Sequence, residues 1–465
     1  MSSIRRSTPP RVRTWDFPCA GVALLWLCLV AKGQSPGTTR YEGKCSDAAC
    51  HGDFLKRESV HAPVENGQCE SCHEVENAVT HKFKLARSGA ALCTECHDEE
   101  TFQGKVVHAP VANGQCDACH DPHGGKAKGL LKAANLSELC LECHDETLKD
   151  LSFVHGPAAV GQCASCHDAH VSKHPKLVRA EQPALCFECH DDMKERIEGS
   201  KHVHEAVKGD CVACHKPHGA GNKMLLSSVA PALCADCHED IIDTAKGAAH
   251  PHSPVTADGG CTTCHDAHAS KNGKLVAGEN TRTACLSCHN KEIKVGDRTI
   301  RDMAALLKDA PDHHGPIRDG DCVACHAAHG GAVHALLGHA YPQRFYSSFS
   351  EDAYKLCFEC HEVEAFDSAE TDDATAFRNG KQNLHHVHVN KSSKGRSCRA
   401  CHDPHASRLP HHIVERSSFG SWTIPINFQA TANGGTCQPG CHRAYGYDRE
   451  TPVVNLPPRE SPAEP

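Results

Sequence analysis

Apolar positions are sparse and scattered along most of this 465-residue chain, and one stretch stands apart. Residues 17–31 (FPCAGVALLWLCLVA) form an uninterrupted apolar run. Arg5, Arg6, Arg11 and Arg13 precede it, and Ala31-Lys32-Gly33 closes it. A basic segment, a short apolar run and a small-x-small site predict a cleaved signal peptide over residues 1–33 and an exported chain. The run is shorter than the roughly 20 residues a membrane-spanning helix needs. No later stretch is apolar enough to cross a bilayer, so no transmembrane segment of the protein's own is expected. Helical periodicity is confined to short pieces: residues 192–199, 240–245 and 299–309, where Ile300, Met303, Ala304 and Leu307 share one face. Glycine and proline punctuate the remainder, as at Gly114, Pro122 and Gly124. The pattern predicts a mostly irregular chain with short α-helices and negligible β-structure.

Composition explains the sparseness. Aromatic residues make up only 5% of the chain, against 32 cysteines and 39 histidines. So few large apolar side chains cannot build several conventional cores. The formal net charge of −9 disfavours nucleic acid, which needs basic stripes.

The cysteines repeat with a period. One series reads Cys69-x-x-Cys72-His73, then Cys116, Cys119, His120; Cys163, Cys166, His167; Cys211, Cys214, His215; Cys261, Cys264, His265; Cys322, Cys325, His326; and Cys398, Cys401, His402. A second series interleaves with it: Cys93, Cys96, His97; Cys140, Cys143, His144; Cys186, Cys189, His190; Cys234, Cys237, His238; Cys285, Cys288, His289; and Cys357, Cys360, His361. Two sites are spaced more widely but keep the adjoining histidine: Cys45, Cys50, His51 at the start and Cys437, Cys441, His442 at the end. Counting both, the chain is expected to carry about 15 haem c groups (13 CxxCH, one CxxxCH and one Cx4CH).

Two thiols with an adjacent imidazole are what covalent haem attachment requires. The cysteines form thioethers to the vinyl groups, and the histidine becomes the proximal iron ligand. A zinc site is the rival, because the 20 residues between Cys72 and Cys93 fit a four-cysteine ribbon. The histidine after every pair, the exported character of the chain and the surplus of histidines all favour haem.

That surplus falls at two fixed offsets. His123, His170, His218, His268, His329 and His405 lie three residues after a proximal histidine. A three-residue link cannot pass around a porphyrin, so each of these must reach another haem. His61, His108, His155 and His314 lie eight residues before a first-series cysteine, His204 seven before and His252 nine before. In the last repeat His388 is the expected counterpart, with His385 and His386 as rivals. Glu76 occupies the place of the post-motif histidine in the first repeat, and His81 is the substitute. These histidines are the candidate distal ligands. One further distal ligand stays open among His174, His334, His339, His411 and His412.

The segment HAPVANGQCDACHDPHGG with the later LCLECHD (residues 108–125 and 139–145) resembles the doubled-CXXCH multihaem c-type cytochromes. It is similar in particular to the decahaem periplasmic cytochromes of porin–cytochrome electron conduits. The resemblance implies bis-histidine haems in an extended chain of about seven two-haem repeats. It also implies electron traffic between periplasm and cell exterior, as in anaerobic respiration. The partners it implies are other redox proteins: other multihaem cytochromes or an outer-membrane porin. The location it implies is periplasmic, outer-membrane-associated or extracellular.

The organisation read from the repeats is a leader over 1–33, a half repeat over 34–59, and regular two-haem repeats over 60–298. Two looser repeats with insertions follow over 299–450, then a proline-rich flexible tail over 451–465. Aromatic residues in the insertions (Tyr341, Phe345, Tyr346, Phe419, Trp422 and Phe428) are expected to pack as loops against haem edges. With both axial positions filled, iron has no open site for substrate, so an electron carrier rather than an enzyme is expected. The alternative is a multihaem terminal reductase, for a nitrogen, sulfur or metal substrate, with one open haem.

Overall fold

In a computed structural model, residues 45–47, 50–296 and 298–455 are described. The expected leader lies outside them, as does the end of the tail. The first three regular repeats are built the same way around their first CXXCH. A two-residue strand leads into a histidine that caps a one-turn helix, as at Val106–Val107, His108 and Ala109–Ala112. Pro110 sits in the first turn of that helix, where its fixed φ suits the helix and its missing N–H costs nothing. The chain then turns through a glycine at positive φ, such as Gly114 (φ 69°) or Gly161 (φ 73°). A Cβ at Gly161 would stand 2.7 Å from that of Ser137, so glycine is required there for space as well as for dihedral freedom. A 3-10 turn over the cysteines follows (Cys116–Ala118, Cys163–Ser165). The His120 amide closes it by donating to the Cys116 carbonyl at 3.1 Å.

The repeats are stitched by strands, and this corrects the expectation of negligible β-structure. The leading strand of one repeat pairs antiparallel with a strand just after the CHxxH histidine of the next. Val106–Val107 pairs with Val171–Ser172, Phe153–Val154 with Gly219–Ala220, and His202–Val203 with Ala269–Ser270. The same clip recurs at Ser59–Val60 with Gly124–Gly125, at His250–Pro251 with Gly330–Gly331, and at Asp312–His313 with Ala406–Ser407. At two residues each, these strands are too short for alternation to reveal them. Their stability comes from pairing between repeats, so each repeat is tied to its neighbour.

Longer strands occur in the first repeat, where His73–Asn77 pairs with Lys82–Leu85, and in the insertions. Arg416–Phe419 and Trp422–Pro425 form a hairpin. Phe428–Ala430, Gly434–Cys437 and Tyr445–Asp448 form a three-stranded antiparallel sheet. Residues 409–436 are therefore largely sheet where loops are expected. The helix expected over 299–309 begins later, at Met303–Asp309, with the Asp302 carboxylate accepting from the Ala305 amide as its cap. Arg298–Ile300 instead pairs with Ile293–Val295. The helices expected near 192 and 240 are present as Asp191–Glu198 and Glu239–Gly247.

Buried apolar side chains in the repeats are mostly small, including Ala133, Ala220, Ala245 and Ala269. Larger buried residues gather after residue 350: Tyr354, Val389, Ile426 and Phe428. Val453 and Asn455 are hydrogen-bonded to Asn379 and Gly446, which anchors the described start of the terminal segment. Among the described residues no helix is long and apolar enough to cross a membrane.

Candidate haem centres

The two-residue clips fix where the histidines go. Immediately beyond the clip of Val106–Val107 with Val171–Ser172, the His108 amide donates to the His170 carbonyl at 2.9 Å. The same bond joins His155 to His218, His204 to His268 and His314 to His405. Each clip therefore holds two candidate distal ligands, one from each repeat. Their rings turn away to face two proximal histidines.

Histidines expected before the motif face the second-series proximal histidine of their own repeat. Ring centroids lie 6.1 Å apart for His61 and His97, 6.2 Å for His108 and His144, and 6.2 Å for His155 and His190. The separations are 6.1 Å for His204 and His238, 6.4 Å for His252 and His289, and 6.0 Å for His314 and His361. Histidines of the CHxxH type face the first-series proximal histidine of the preceding repeat. His123 lies 6.0 Å from His73, His170 6.0 Å from His120, and His218 5.8 Å from His167. His268 lies 6.0 Å from His215, His329 5.9 Å from His265, and His405 6.1 Å from His326.

The ends of the chain differ. His81 faces His51 at 6.3 Å. In the last repeat His385, rather than His388, faces His402, at 6.5 Å. His388 instead donates from Nδ1 to the Leu384 carbonyl and lies against Phe377. The two share the helix Leu384–Val389, so sequence offset alone does not choose between them. His442 lies on Tyr445 at 4.7 Å. Of the histidines left open, His174 and His339 pair with Glu181 and Glu359, and His412 contacts Asp312 and the edge of His314.

These residues fit haem on three counts. Two imidazoles bound on opposite sides of one metal ion have centroids about 6 Å apart, the separation found in pair after pair. The tautomers are also suitable. His61, His108, His155, His204 and His252 donate from Nδ1 to the carbonyls of Pro122, Ala169, Pro217, Ala267 and Ala328, at 2.8–3.1 Å. A carbonyl only accepts, so Nδ1 carries the proton and Nε2 keeps its lone pair for iron. Finally, three of the candidate distal rings, His170, His218 and His385, are biased towards the neutral form that binds metal. Burial and then the facing His120 lower the pKa of His170, and burial with His167 does the same to His218. Burial, followed by His402 and His388, pushes His385 down to about 3.

The thiols make contacts of their own. Every described cysteine is unbridged. The first cysteine of a second-series motif lies near the first cysteine of the next motif: Cys93 near Cys116, Cys140 near Cys163, Cys186 near Cys211, and Cys234 near Cys261. Burial and then the neighbouring thiol push Cys93, Cys140, Cys186 and Cys234 up to about 11. At these four places the attachment points of successive motifs are neighbours.

One positioning group was not expected from the motifs. Nine residues after each of six first-series proximal histidines, a backbone carbonyl accepts from that histidine's Nδ1. The carbonyls belong to Gly129, Lys176, Met224, Lys274, Ala335 and His411, at 2.7–2.9 Å from His120, His167, His215, His265, His326 and His402. The five that are not glycine lie at φ of 56–61°, and the residue after each is also left-handed. Such backbone is costly for L-residues, and it persists at sites that need a particular group held in place. The sequence signal is a leucine in five of the six turns (His412 in the sixth) followed by Leu, Val or Ile, as in Lys176-Leu177-Val178 and Met224-Leu225-Leu226.

The doubled CXXCH motif family model matches residues 61–102, 108–149, 155–195, 204–242, 252–294 and 314–366, together more than half of the chain. No curated protein matches the chain. The match corrects the expected cofactor count. It supports six doubled motifs and not an array of about 15 haems. The sites at Cys45, Cys398 and Cys437 fall outside all six segments. Two of them also lack the two-residue spacing, and the His442 ring stacks on Tyr445. Within the matched segments, paired thiols, proximal histidines and facing imidazoles recur in one arrangement, and on that basis the chain belongs to the doubled-CXXCH family of multihaem c-type cytochromes, proteins of electron transfer.

Proposed function

We propose that the protein passes electrons one at a time from motif to motif in sequence order, with an imidazole on each side of every iron, and that it is a carrier and not an enzyme. The observation that carries this reading is the pairing of rings about 6 Å apart. Each proximal histidine of the matched segments faces another histidine and not open space. Bound haem supplies a one-electron couple with no vacant coordination position. The chain supplies the rest. Paired thiols anchor each group, and backbone carbonyls hold Nδ1 protonated. The neighbouring thiols Cys93 and Cys116 bring successive attachment points near one another.

The leader-like residues 1–33 support export, hence a periplasmic, outer-membrane-associated or extracellular site of action. The resemblance to porin-associated cytochromes supports other redox proteins as partners, with a porin among them.

Film voltammetry of the full haem-loaded chain tests the reading. Reversible waves that are unchanged by nitrite, hydroxylamine or tetrathionate are expected, with almost no carbon monoxide bound by the ferrous protein. A catalytic current with one of these substrates, or stoichiometric carbon monoxide binding at one haem, would replace the carrier with a terminal reductase.

A further inference from the structure

The CHxxH histidines differ in what stands behind them. The residue two positions before the histidine is Asp121, Asp168, Lys216, Asp266, Ala327 or Asp403. Where it is aspartate, Oδ1 accepts the histidine's backbone N–H: from His123 at 3.0 Å, His170 at 3.1 Å, His268 at 3.0 Å and His405 at 2.9 Å. At two of the four the carboxylate also lies close to the ring. Oδ1 of Asp121 lies 3.5 Å from Nδ1 of His123, and that of Asp403 lies 3.4 Å from Nδ1 of His405. Lys216 and Ala327 offer no carboxylate to His218 and His329.

The aspartates are not equal either. Arg57 pairs with Asp121 at 2.5 Å, Arg196 pairs with Asp266, and Arg301 grips Asp403 with two bonds of 2.6 and 2.8 Å. Among the described residues Asp168 makes no ion pair. Three electrostatic settings therefore occur behind one repeated ligand: a bare carboxylate at His170, arginine-neutralised carboxylates at His123, His268 and His405, and no carboxylate at His218 and His329.

A group behind a metal-bound imidazole tunes the metal through the ring. A negative charge there favours the ferric state, which carries one more positive charge than the ferrous, and a cation disfavours it. We infer that the residue after each first-series proximal histidine sets the reduction potential of the haem in the preceding repeat, through the distal histidine. The lowest potential of the series falls at the His120–His170 pair and the highest where no carboxylate stands, at the His167–His218 and His265–His329 pairs. The inference rests on the proposed ligand pairing. It makes Asp168 a positioning residue that tunes a ligand without touching iron.

The test compares full-length haem-loaded Asp168→Asn and Lys216→Asp with the wild type by potentiometric titration monitored by electron paramagnetic resonance. Asparagine keeps the acceptor for the His170 N–H and removes only the charge. One haem equivalent is expected to move to higher potential in Asp168→Asn and one to lower potential in Lys216→Asp, with all signals still low-spin. Titration curves superimposable on the wild type in both variants would overturn the inference, as would an Asp168→Asn shift accompanied by a new high-spin haem. Should Asp168→Asn fail to mature, Lys216→Asp reads the same inference in the opposite direction. His170→Ala separates the two layers: if no haem turns high-spin, the ligand pairing itself fails.

Discussion

The His108 amide donates to the His170 carbonyl at 2.9 Å, yet the two rings serve different partners, His144 and His120. Both partners belong to one repeat. A clip of two residues per strand therefore orients the candidate distal ligands for both centres of that repeat, one from within and one from the repeat that follows. Loss of the next repeat would strip the first centre of its facing imidazole and leave the second with its own.

The clip is joined to the left-handed turn through a buried serine. Ser270 Oγ donates to the Val276 carbonyl and accepts from the Asn272 amide. Ser172 and Ser407 make the corresponding bonds. Removing such a buried group leaves its partners unsatisfied at a cost of about 1–3 kcal/mol. Ser270→Ala is expected to lower stability by that amount in denaturant unfolding of the haem-loaded chain, with the low-spin spectrum retained. An unchanged midpoint would show that the serine does not couple clip and turn.

Lys274 lies at φ 56° and its carbonyl accepts from Nδ1 of His265. The bond needs the carbonyl and not the lysine side chain. A left-handed conformation costs a non-glycine residue about 1–2 kcal/mol, whereas glycine adopts it freely. Lys274→Gly is expected to stabilise the folded chain by up to about 1 kcal/mol, after the extra freedom glycine gives the unfolded chain is counted, and to leave the spectrum unchanged. Lys274→Pro, with φ locked negative, is expected to disrupt the His265 centre. Equal behaviour of the two variants in thermal melts would contradict the role given to the turn.

Asp403 is mostly buried, which opposes ionisation, but hydrogen bonds from His405 and Arg301 outweigh burial and hold its carboxyl well below the usual range. A depressed carboxyl stabilises the folded state fully above the unfolded pKa, near 3.9, and that contribution is lost as pH falls towards the folded value. Arg301→Gln is expected to cost about 1–2 kcal/mol near neutral pH, limited by the exposure of Arg301 to solvent. The gap to wild type is expected to close below about pH 4. Denaturant unfolding at stepped pH checks this, and a gap that widens in acid would reverse the sign.

The motifs were open to reading because thiol and imidazole chemistry needs adjacent residues, which sequence displays directly. The offsets of His123 and His108 were equally visible, and ring geometry at a porphyrin already excluded a shared iron for His120 and His123. The partner of each histidine was not visible. It depends on strands as short as Val171–Ser172, which carry no alternation, and on a following repeat tens of residues away. The choice of His385 over His388 turned on which side of one helical turn faces His402. The turn at Lys274 was hidden because its working group is a backbone carbonyl and its side chain is incidental. Asp302 is the cap that starts the helix at Met303, and apolar periodicity alone ran past it towards residue 299.

The most direct test of the cross-repeat pairing is the spin state of haem in His170→Ala, measured by electron paramagnetic resonance and by carbon monoxide binding to the ferrous chain. His170 lies three residues after His167 but faces His120, 6.0 Å away in the preceding repeat. Conversion of one haem from low-spin to high-spin, with one carbon monoxide bound per chain, is the expected result. A variant that stays wholly low-spin and binds no more carbon monoxide than the wild type would contradict it.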